Sequence, residues 1–331
     1  MKLLDLEIQN IGPFKGLQKI FFTSDARFVH IILGVNGTGK TMLLNAICWA
    51  IGLYHPQEDR FIKHWVHRGC KAGFIRLRIE ANGNLYEITR NTSRMEGADN
   101  HSKSESQIFL IESHRLKSLI TPKQLQNDVF AGMDRAFLRS LIIYDERAID
   151  QWDISLKFSG FVSWARKQII NLKIPGISDR KMQRYISAAA EKLGGPPSCE
   201  AHGEKAIAAM LLRGLFWEWL ALADQEPQGF NNLGVKKFSW LMDCPFSLLD
   251  SEHQIAAATL ISKFQGTVII FTNLSIQESA ANILHDKICS ISVLRCGWNV
   301  GGRGRASIFG RSLELTRDDN TDFCEIISQN W

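Results

Sequence analysis

The 331-residue sequence lacks any long apolar run. None of its apolar stretches approaches the ~18 residues that a membrane-spanning helix requires. No basic segment followed by an apolar one stands at its start, so no targeting segment is expected. These absences argue against a protein that crosses a membrane through helices, and we expect no membrane partner.

Cysteine is scarce and irregularly placed. The seven cysteines are an odd number and share no repeated spacing. That distribution is typical of reduced thiols in a cytosolic protein and not of a disulfide framework. We therefore expect reduced cysteines and a cytoplasmic protein.

The sequence also lacks an internal repeat and a heptad run long enough for a coiled coil. Its 45% hydrophobic and 22% charged residues are those of an ordinary globular protein. A net charge of +5 permits contact with nucleic acid but does not require it. The length allows two domains or one large α/β domain with an insertion.

One short stretch fits a phosphate-binding pattern without a mismatch. Residues 34–41 read GVNGTGKT, which matches G-x-x-x-x-G-K-[ST]. Glycines let backbone N–H groups turn toward a phosphate chain, the lysine reaches the terminal phosphates, and the threonine hydroxyl ligates Mg²⁺. A predicted strand at 28–33 and a predicted helix at 42–51 complete the required context. The stretch predicts ATP and Mg²⁺ binding through Gly34, Asn36, Gly37, Thr38, Gly39, Lys40 and Thr41.

The remaining periodicity predicts an α/β chain. Alternating or continuous apolar runs predict strands within 2–33 and at 74–80, 85–90, 107–111, 238–242 and 267–271. Helical spacing predicts helices at 122–139, 157–190, 204–222 and 252–264. The polar span 91–106 predicts an exposed, mobile loop. From Ile288 on we expect two or three short strands, split by a loop at 297–305.

Asp243 follows the predicted strand 238–242 directly. A carboxylate at the tip of a strand beside the phosphate loop is suited to holding Mg²⁺. The sequence therefore predicts a metal site shared by Thr41 and Asp243.

Four ordered segments together carry a family resemblance. They are LLDLEIQNIGPF at 3–14, GVNGTGKTMLLNAI at 34–47, GEKAIAAMLLRGL at 203–215 and MDCPFSLLDSEH at 242–253. The chain resembles ATP-binding-cassette ATPases of the chromosome-maintenance (SMC), RecF and double-strand-break-repair class. Among these it is most similar to the short DndD-like ATPases of phosphorothioation-dependent restriction. The resemblance covers about residues 1–90 and 200–275.

The resemblance implies an α/β P-loop NTPase of the SMC-head type, with a mixed-sheet lobe, a parallel core sheet flanked by helices, and a short helical insertion. It implies an N-terminal half of the head at 1–150, an insertion at 151–198 and a C-terminal half at 199–331. Two such heads sandwich two ATP molecules, and Gly203 and Asp250 are then expected to contribute to nucleotide binding. Only ~100 residues separate the third predicted strand, at 107–111, from the predicted helix that begins at Glu204, which is too few for a long coiled-coil arm.

Several positions depart from the family pattern. Cys244 stands where a catalytic glutamate is usual, and a thiol of ordinary pKa is a poor base for water. Ala201 replaces the signature serine, and Thr272-Asn273 replaces the switch histidine. Glu146 falls close to the position of the family's glutamine, so the expected catalytic residues are Lys40, Asp243 and Glu146. These departures predict slow hydrolysis, or hydrolysis completed by a partner.

The sequence supports two main functions. The first is an ATPase that forms a homodimer on binding ATP and acts with a partner protein in a DNA transaction, DNA repair or anti-phage defence, with DNA as a candidate ligand. The second is an ATP-gated scaffold that barely hydrolyses and recruits an effector such as a nuclease. A small-molecule kinase is a third interpretation, under which Gly203 and the 243–250 segment would have no purpose.

Some side chains leave two interpretations open. His64-x-x-His67-x-x-Cys70 could supply three metal ligands or belong to a solvated basic loop. That basic loop with Arg76 and Arg78 could contact DNA phosphates or form an ordinary charged face. The same choice applies to the second basic group, Arg295, Arg303 and Arg305. Cys244 could be a nucleophile or only a neighbour of the metal site, and Trp217 and Trp219 could be core residues, dimer surface or an adenine platform.

Overall fold

The structure is a computed structural model. The residues it describes are 1–22, 28–53, 65–94, 103–112, 116–130, 138–139, 142–145, 161, 163–165, 167–168, 180–181, 183–184, 202–222, 239–247, 249–264, 266–273, 276, 278–296, 305–308, 311–314 and 324–330.

The described strands and helices alternate along much of the chain. The strands are β1 (Lys2–Ile11), β2 (Phe14–Phe21), β3 (Val29–Leu33), β4 (Ala72–Ala81), β5 (Asn84–Ser93), β6 (Lys103–Glu112), β7 (Leu116–Leu119), β8 (Ile143–Asp145), β9 (Ser239–Asp243), β10 (Thr267–Thr272), β11 (Ile288–Cys296), β12 (Arg305–Ile308), β13 (Arg311–Glu314) and β14 (Cys324–Asn330). The helices are α1 (Lys40–Ala50), α2 (Pro122–Phe130), α3 (His202–Leu222), α4 (Ser251–Lys263) and α5 (Glu278–Leu284). A 3₁₀ turn at His285–Lys287 follows α5.

A single sheet of 12 described strands runs through the molecule in the order β7-β6-β5-β4-β1-β2-β14-β11-β3-β10-β9-β8. The strands from β7 to β2 pair antiparallel. The strands β11, β3, β10, β9 and β8 pair parallel. β14 joins the two halves, because it is antiparallel to β11 and meets β2 through the pair Cys324–Phe14.

The antiparallel half confirms the predicted β-rich beginning. In β4, buried and more exposed residues alternate along the strand, as expected for a sheet with one face against the core. The turn between β4 and β5 has positive φ at Asn82 (53°) and Gly83 (77°), the combination that favours a two-residue hairpin.

The prediction of a loop over 91–106 is wrong at both ends. β5 continues to Ser93, and β6 begins at Lys103. Ser93 pairs with Lys103 in the register of these strands. Backbone hydrogen bonds hold this polar extension, so side-chain polarity alone is a misleading signal there. Residues 95–102 lie outside the described part of the chain.

The parallel half is covered by helices on both faces. Ile32, Leu241 and Ile269 share an apolar cluster with residues of α1. Their neighbours Ile31, Met242 and Ile270 belong to a second cluster with residues of α4 and α5. Since successive strand residues face opposite sides, nearly continuous apolar strands are the expected composition here. Full burial of each such side chain contributes about 1.5–3 kcal/mol to stability.

The C-terminal part differs from its prediction. Four strands are described from Ile288 on, and β11 alone has 9 residues. Cys296 and Cys324 form a disulfide between β11 and β14, so the expectation of reduced cysteines is wrong for this pair. The two residues lie opposite each other in the register, with Cα atoms 4.4 Å apart. Their sequence separation of 28 gave no sign of this pairing.

The middle of the chain is only partly described. The predicted helix 122–139 is α2 as far as Phe130, and positions 138–139 are also helical. In the predicted helical region 157–190, the described positions 161, 163–165, 167–168, 180–181 and 183–184 are helical. The division into 1–150, 151–198 and 199–331 remains a prediction. Within the described part, no helix is both long and apolar enough to cross a membrane.

Candidate nucleotide site

The predicted phosphate loop connects β3 to α1. Its first residue is tied to the neighbouring strand, since the Gly34 N–H donates to the Thr272 carbonyl at 3.1 Å. Inside the loop the Thr38 hydroxyl donates to the Val35 carbonyl at 2.9 Å. Gly37 and Gly39 have φ values of 85° and 97°, which other L-residues rarely adopt. The backbone thus makes the sharp turn that the glycine pattern predicts.

Lys40 reaches back over this loop. Its side chain is buried, and its ammonium donates to the carbonyls of Gly34 at 2.7 Å and Val35 at 3.0 Å. Burial lowers the pKa of Lys40 from its ordinary value, while the nearby Cys244 and Asp243 act in the opposite direction. A desolvated cation held above a glycine turn is suited to binding an anion such as a phosphate.

The two predicted metal ligands lie together. The Thr41 hydroxyl donates to Asp243 Oδ2 at 3.4 Å, although the residues are 202 positions apart. The register of the parallel strands explains this meeting, because β9 pairs with β10 and β10 pairs with β3, the strand that leads into the loop. Both groups present oxygen, the ligand atom that Mg²⁺ prefers. The described residues contain no group of three or more His, Cys, Asp or Glu placed to hold a metal.

A turn between β1 and β2 packs against the loop. A β-carbon added at Gly39 would lie 2.5 Å from Pro13 Cγ and 3.0 Å from Phe14 Cζ. One added at Gly12 would lie 2.7 Å from Met42 Cγ in α1. Small residues are therefore required on both sides of this junction. The only sequence signal was the Gly12-Pro13 dipeptide.

His67 holds the same turn in place. Its Nδ1–H donates to the Gly12 carbonyl at 2.9 Å, and its backbone N–H donates to the Asn10 carbonyl at 2.7 Å. The ring is 4% exposed. This histidine has a structural partner, which favours the non-metal interpretation of the His67-x-x-Cys70 pattern. His64 lies outside the described residues.

Cys244 follows Asp243 in a left-handed backbone conformation, with φ 49°. Its N–H donates to the Phe271 carbonyl of β10 at 2.7 Å. Asp145 is paired in register with Asp243, which puts the end of β8 beside the end of β9. Glu146 and Ala201 lie outside the described residues.

A second group of predicted residues lies where α3 and α4 begin. We call Gly203, Asp250 and His253 the α3–α4 corner. Asp250 caps α4, because its Oδ1 accepts the His253 backbone N–H at 2.9 Å. It also lies 2.6 Å from His253 Nδ1. These hydrogen bonds outweigh the larger effect of burial, and the pKa of Asp250 is lowered from its ordinary value.

A family model described as an AAA domain (AAA_23) matches residues 5–178, more than half of the chain. The chain belongs to this AAA domain family. The match includes the phosphate loop, whereas Gly203, Asp243 and Asp250 lie beyond its end.

Two solved structures show the fold that this AAA domain chain adopts. One is the SmcHead bound to the C-winged helix domain of ScpA, with a TM-score of 0.60, 14% identity, and coverage of 100% of this chain and 98% of that one. The other is the SMC head domain from Thermotoga maritima, with a TM-score of 0.50, 15% identity, and coverage of 99% and 98%. The predicted fold class is thereby confirmed. No curated protein sequence matches the chain significantly.

Three of the arginines considered as DNA contacts, Arg76, Arg78 and Arg295, are engaged in ion pairs in this AAA domain. Arg76 Nη1 lies 2.8 Å from Glu7 Oε2, and Arg78 pairs with Asp5. Arg295 pairs with Glu325 across β11 and β14. These pairs favour the interpretation of an ordinary charged face, because the cations already have carboxylate partners. Arg303 and the side chains of Trp217, Trp219 and Arg305 are outside the described part.

The switch position holds a hydroxyl in this AAA domain. Thr272 is 1% exposed at the end of β10, and its hydroxyl donates to the Asn273 carbonyl at 2.9 Å. The Thr272 carbonyl accepts the Gly34 N–H at 3.1 Å. The residue that replaces the expected histidine is therefore directly connected to the phosphate loop.

Proposed function

We propose that this AAA domain chain is a Mg²⁺-dependent ATPase in which two copies close around two ATP molecules. The observation that carries the proposal is the contact between the Thr41 hydroxyl and the Asp243 carboxylate, 3.4 Å apart, beside the buried ammonium of Lys40. Two hard oxygen groups and a desolvated cation at one glycine turn are the combination required for a metal–triphosphate complex.

The backbone N–H groups of Asn36 to Thr41, including that of Thr38, would hold the phosphates, with Gly34 at the start of the turn tied to Thr272. Lys40 would exchange its carbonyl partners for phosphate oxygens, and Thr41 and Asp243 would hold Mg²⁺. When bound, Mg²⁺ neutralises charge on the phosphate oxygens and orients them for in-line attack. Glu146 is proposed as the residue that orients the attacking water.

Slow or partner-dependent turnover follows from the residue after Asp243. A carboxylate at this position would accept a proton from water, whereas the thiol of Cys244 is a weak general base. General-base catalysis of this kind is worth about 100- to 10,000-fold in rate. A partner protein that supplies a base or reshapes the site would restore part of this factor.

Gly203 and Asp250 are proposed to face the nucleotide held by the other copy. The SmcHead structure is bound to the C-winged helix domain of ScpA, which supports a protein partner here as well. The resemblance to repair and restriction ATPases supports a role in a DNA transaction, DNA repair or anti-phage defence in the cytoplasm.

A second candidate is an ATP-gated scaffold that recruits or regulates an effector such as a nuclease. Cys244 favours it, since ATP binding needs Lys40, Thr41 and Asp243 but not a general base. The two candidates differ in turnover and agree on ATP-driven dimerisation.

The deciding experiment is the mass of the purified protein in solution with and without ATP and Mg²⁺. We expect a dimer with ATP·Mg²⁺ and a monomer without it, and a Lys40→Ala variant that stays monomeric. A protein that remains monomeric at saturating ATP would overturn both candidates. A radiolabelled-ATP assay then separates them. Measurable turnover, alone or with a partner, supports the ATPase, whereas dimerisation without any turnover supports the scaffold.

A further inference from the structure

The ring of His253 occupies the space beside Gly203. A β-carbon added at Gly203 would lie 2.8 Å from His253 Cδ2 and 2.9 Å from both Cγ and Nε2. Contacts under about 3.0 Å are too close for carbon atoms, so one of the two residues would have to move. The residues are 50 positions apart and belong to different helices, α3 and α4.

The same histidine holds the Asp250 carboxylate. Its backbone N–H and its ring Nδ1 both lie within hydrogen-bond distance of Asp250 Oδ1, at 2.9 Å and 2.6 Å. The His253 side chain is 12% exposed, while that of Asp250 is 64% exposed. An enclosed imidazole therefore anchors one oxygen of a carboxylate that faces outward.

The turn that leads into this pair is held by a buried side chain. The buried Gln254 side chain donates to the carbonyls of Phe246 at 3.0 Å and Leu249 at 3.1 Å, which sets the turn from β9 to α4. Because of these bonds, the position of His253 relative to Asp243 is determined by the turn. Its contact with Gly203 then determines where α3 begins.

Two ion pairs connect the corner to the described positions 180–184. Arg184 Nη1 lies 3.5 Å from Glu204 Oε1 at the start of α3, and Lys181 pairs with Glu252 at the start of α4. These pairs are partly exposed and add little stability alone. The contact between the His253 ring and Gly203 is enclosed, so it connects α3 and α4 more firmly than these ion pairs do.

We propose that His253 is a positioning residue that sets Asp250 against the beginning of α3, and that position 203 is glycine because the His253 ring fills the space of a side chain. The effect on ATP rests on the proposed function, in which Asp250 and α3 face the nucleotide of the other copy. The family resemblance assigns Gly203 to phosphate binding across the dimer, and the two roles predict different outcomes when both residues are changed.

The first test is a double-mutant cycle on the protein without nucleotide. Gly203→Ala should lower the melting temperature by about 3–6 °C when His253 is present, because the added methyl group meets the ring. In a His253→Ala background the same change should leave the melting temperature unchanged or raise it by about 1–2 °C, because alanine favours a helix more than glycine does. Equal shifts in both backgrounds would overturn the proposal.

The second test is ATP-driven dimerisation, measured by mass with a non-hydrolysable ATP analogue. His253→Ala should weaken dimerisation by about tenfold or more, a factor typical of losing a hydrogen bond to a charged group. His253→Asn keeps a side-chain N–H near the position of Nδ1 and should recover most of that loss. His285→Ala removes a histidine that is 52% exposed and also pairs with an aspartate, Asp286, so it serves as the matched control.

The two tests separate the possible failures. If the unaltered protein does not dimerise with ATP, the proposed function fails, and the cycle without nucleotide still tests the packing of His253 on Gly203. If the cycle shows coupling but His253→Ala dimerises normally, the positioning role is overturned. If Gly203→Ala abolishes dimerisation equally with and without His253, phosphate contact at Gly203 is the better explanation.

Discussion

The two sides of the candidate site are held in place by different means. On the phosphate-loop side, the shape comes from the backbone, with φ of 85° and 97° at Gly37 and Gly39 and carbonyls that accept the Lys40 ammonium. At the α3–α4 corner, the shape comes mainly from side chains. The His253 ring packs against Gly203, and the backbone N–H and ring Nδ1 of His253 both point toward Asp250. The phosphate-loop side is formed by eight consecutive residues, whereas the corner joins residues that are far apart in sequence.

This difference predicts which side of the candidate site can move. The loop packs so closely against the Gly12–Phe14 turn that a β-carbon added at Gly39 would lie 2.5 Å from Pro13 Cγ, and its first residue is hydrogen-bonded to Thr272 of β10. The corner is bordered by partly exposed ion pairs, and such pairs contribute only about 0–1 kcal/mol. We expect the phosphate-loop side to be rigid and the corner to be the adjustable side.

The largest effect is expected from Lys40→Ala on the rigid side. The change removes the only described cation that reaches over the loop carbonyls, with hydrogen bonds of 2.7 and 3.0 Å. In the proposed function the ammonium donates to phosphate oxygens of ATP instead of these carbonyls. Hydrogen bonds to charged groups contribute about 1.5–3 kcal/mol each, so the affinity for ATP should fall by about 100-fold or more. Titration with a fluorescent ATP analogue measures this loss.

The matched control is Lys123→Ala, which removes an exposed lysine of α2. It should leave the affinity for ATP within about twofold, because an exposed charge contributes little to a distant site. Equal losses in the two variants would mean that Lys40 acts only through the overall charge of the protein.

Gly39→Ala should cause the next largest effect, on the stability of the protein without nucleotide. The alanine would have to adopt a φ of 97° and would place its methyl group 2.5 Å from Pro13 Cγ. Backbone strain and overpacking together should cost about 2–3 kcal/mol of unfolding free energy, measured by urea denaturation.

Gly37→Ala is the control that separates strain from packing. Its φ is 85°, but no atom lies within 4 Å of the added methyl group. We expect about 1–2 kcal/mol from strain alone. If Gly37→Ala costs as much as Gly39→Ala, the Gly12–Phe14 turn does not brace the loop.

The phosphate-loop side could be predicted from the sequence because its geometry is local. Gly37, Gly39 and Lys40 act within one turn, and the flanking strand and helix are apolar runs of the expected length. The meeting of Thr41 with Asp243 depends on the order of β3, β10 and β9, which periodicity alone does not reveal. The prediction of a shared metal site rested instead on the acidic residue that directly follows the predicted strand 238–242.

The corner and the far ends of the sheet could not be predicted in the same way. The contact of Gly203 with His253 depends on how two helices pack. The Cys296–Cys324 pair depends on β14 lying between β2 and β11, an order that no local pattern encodes. The pairing of Arg76 with Glu7 depends on cross-strand register, so a basic run was open to interpretation as a DNA surface.

The Cys244→Glu variant tests whether the lack of a general base is the only cause of slow ATP hydrolysis. The residue follows Asp243 at φ 49°, and its environment includes the Lys40 ammonium. A carboxylate there should accept a proton from water, and turnover should rise by about 10- to 100-fold, less than the full effect of a general base because the backbone geometry is unusual. Radiolabelled phosphate release measures the rate.

Cys244→Gln supplies the control, because it has the same size and the same backbone strain without the charge. It should leave turnover near that of the unaltered protein. If Glu and Gln variants hydrolyse at the same rate, the thiol does not limit hydrolysis, and the adjustable corner or a partner becomes the better explanation of slow turnover.

The smallest effect is expected at the adjustable corner, from Asp250→Asn. Asparagine caps a helix as well as aspartate does, so the change removes the charge and keeps the cap. The pKa of Asp250 lies below its ordinary value of 3.8 although burial, the largest single effect, would raise it, because the bonds from His253 together outweigh burial. A lowered carboxyl pKa stabilises the fold above the ordinary value, and this contribution disappears as the pH falls through the folded-state pKa.

The carboxylate is 64% exposed, so solvent screening limits the difference between the two proteins to about 0.3–0.5 kcal/mol near neutral pH. Urea denaturation across a pH series should show this difference above the ordinary value of 3.8 and its loss below that value. Asp286→Asn, at a carboxylate that is 93% exposed beside His285, should show a smaller difference at every pH. A difference at Asp250 that persists undiminished in acid would mean that the charge of Asp250 is not what stabilises the corner.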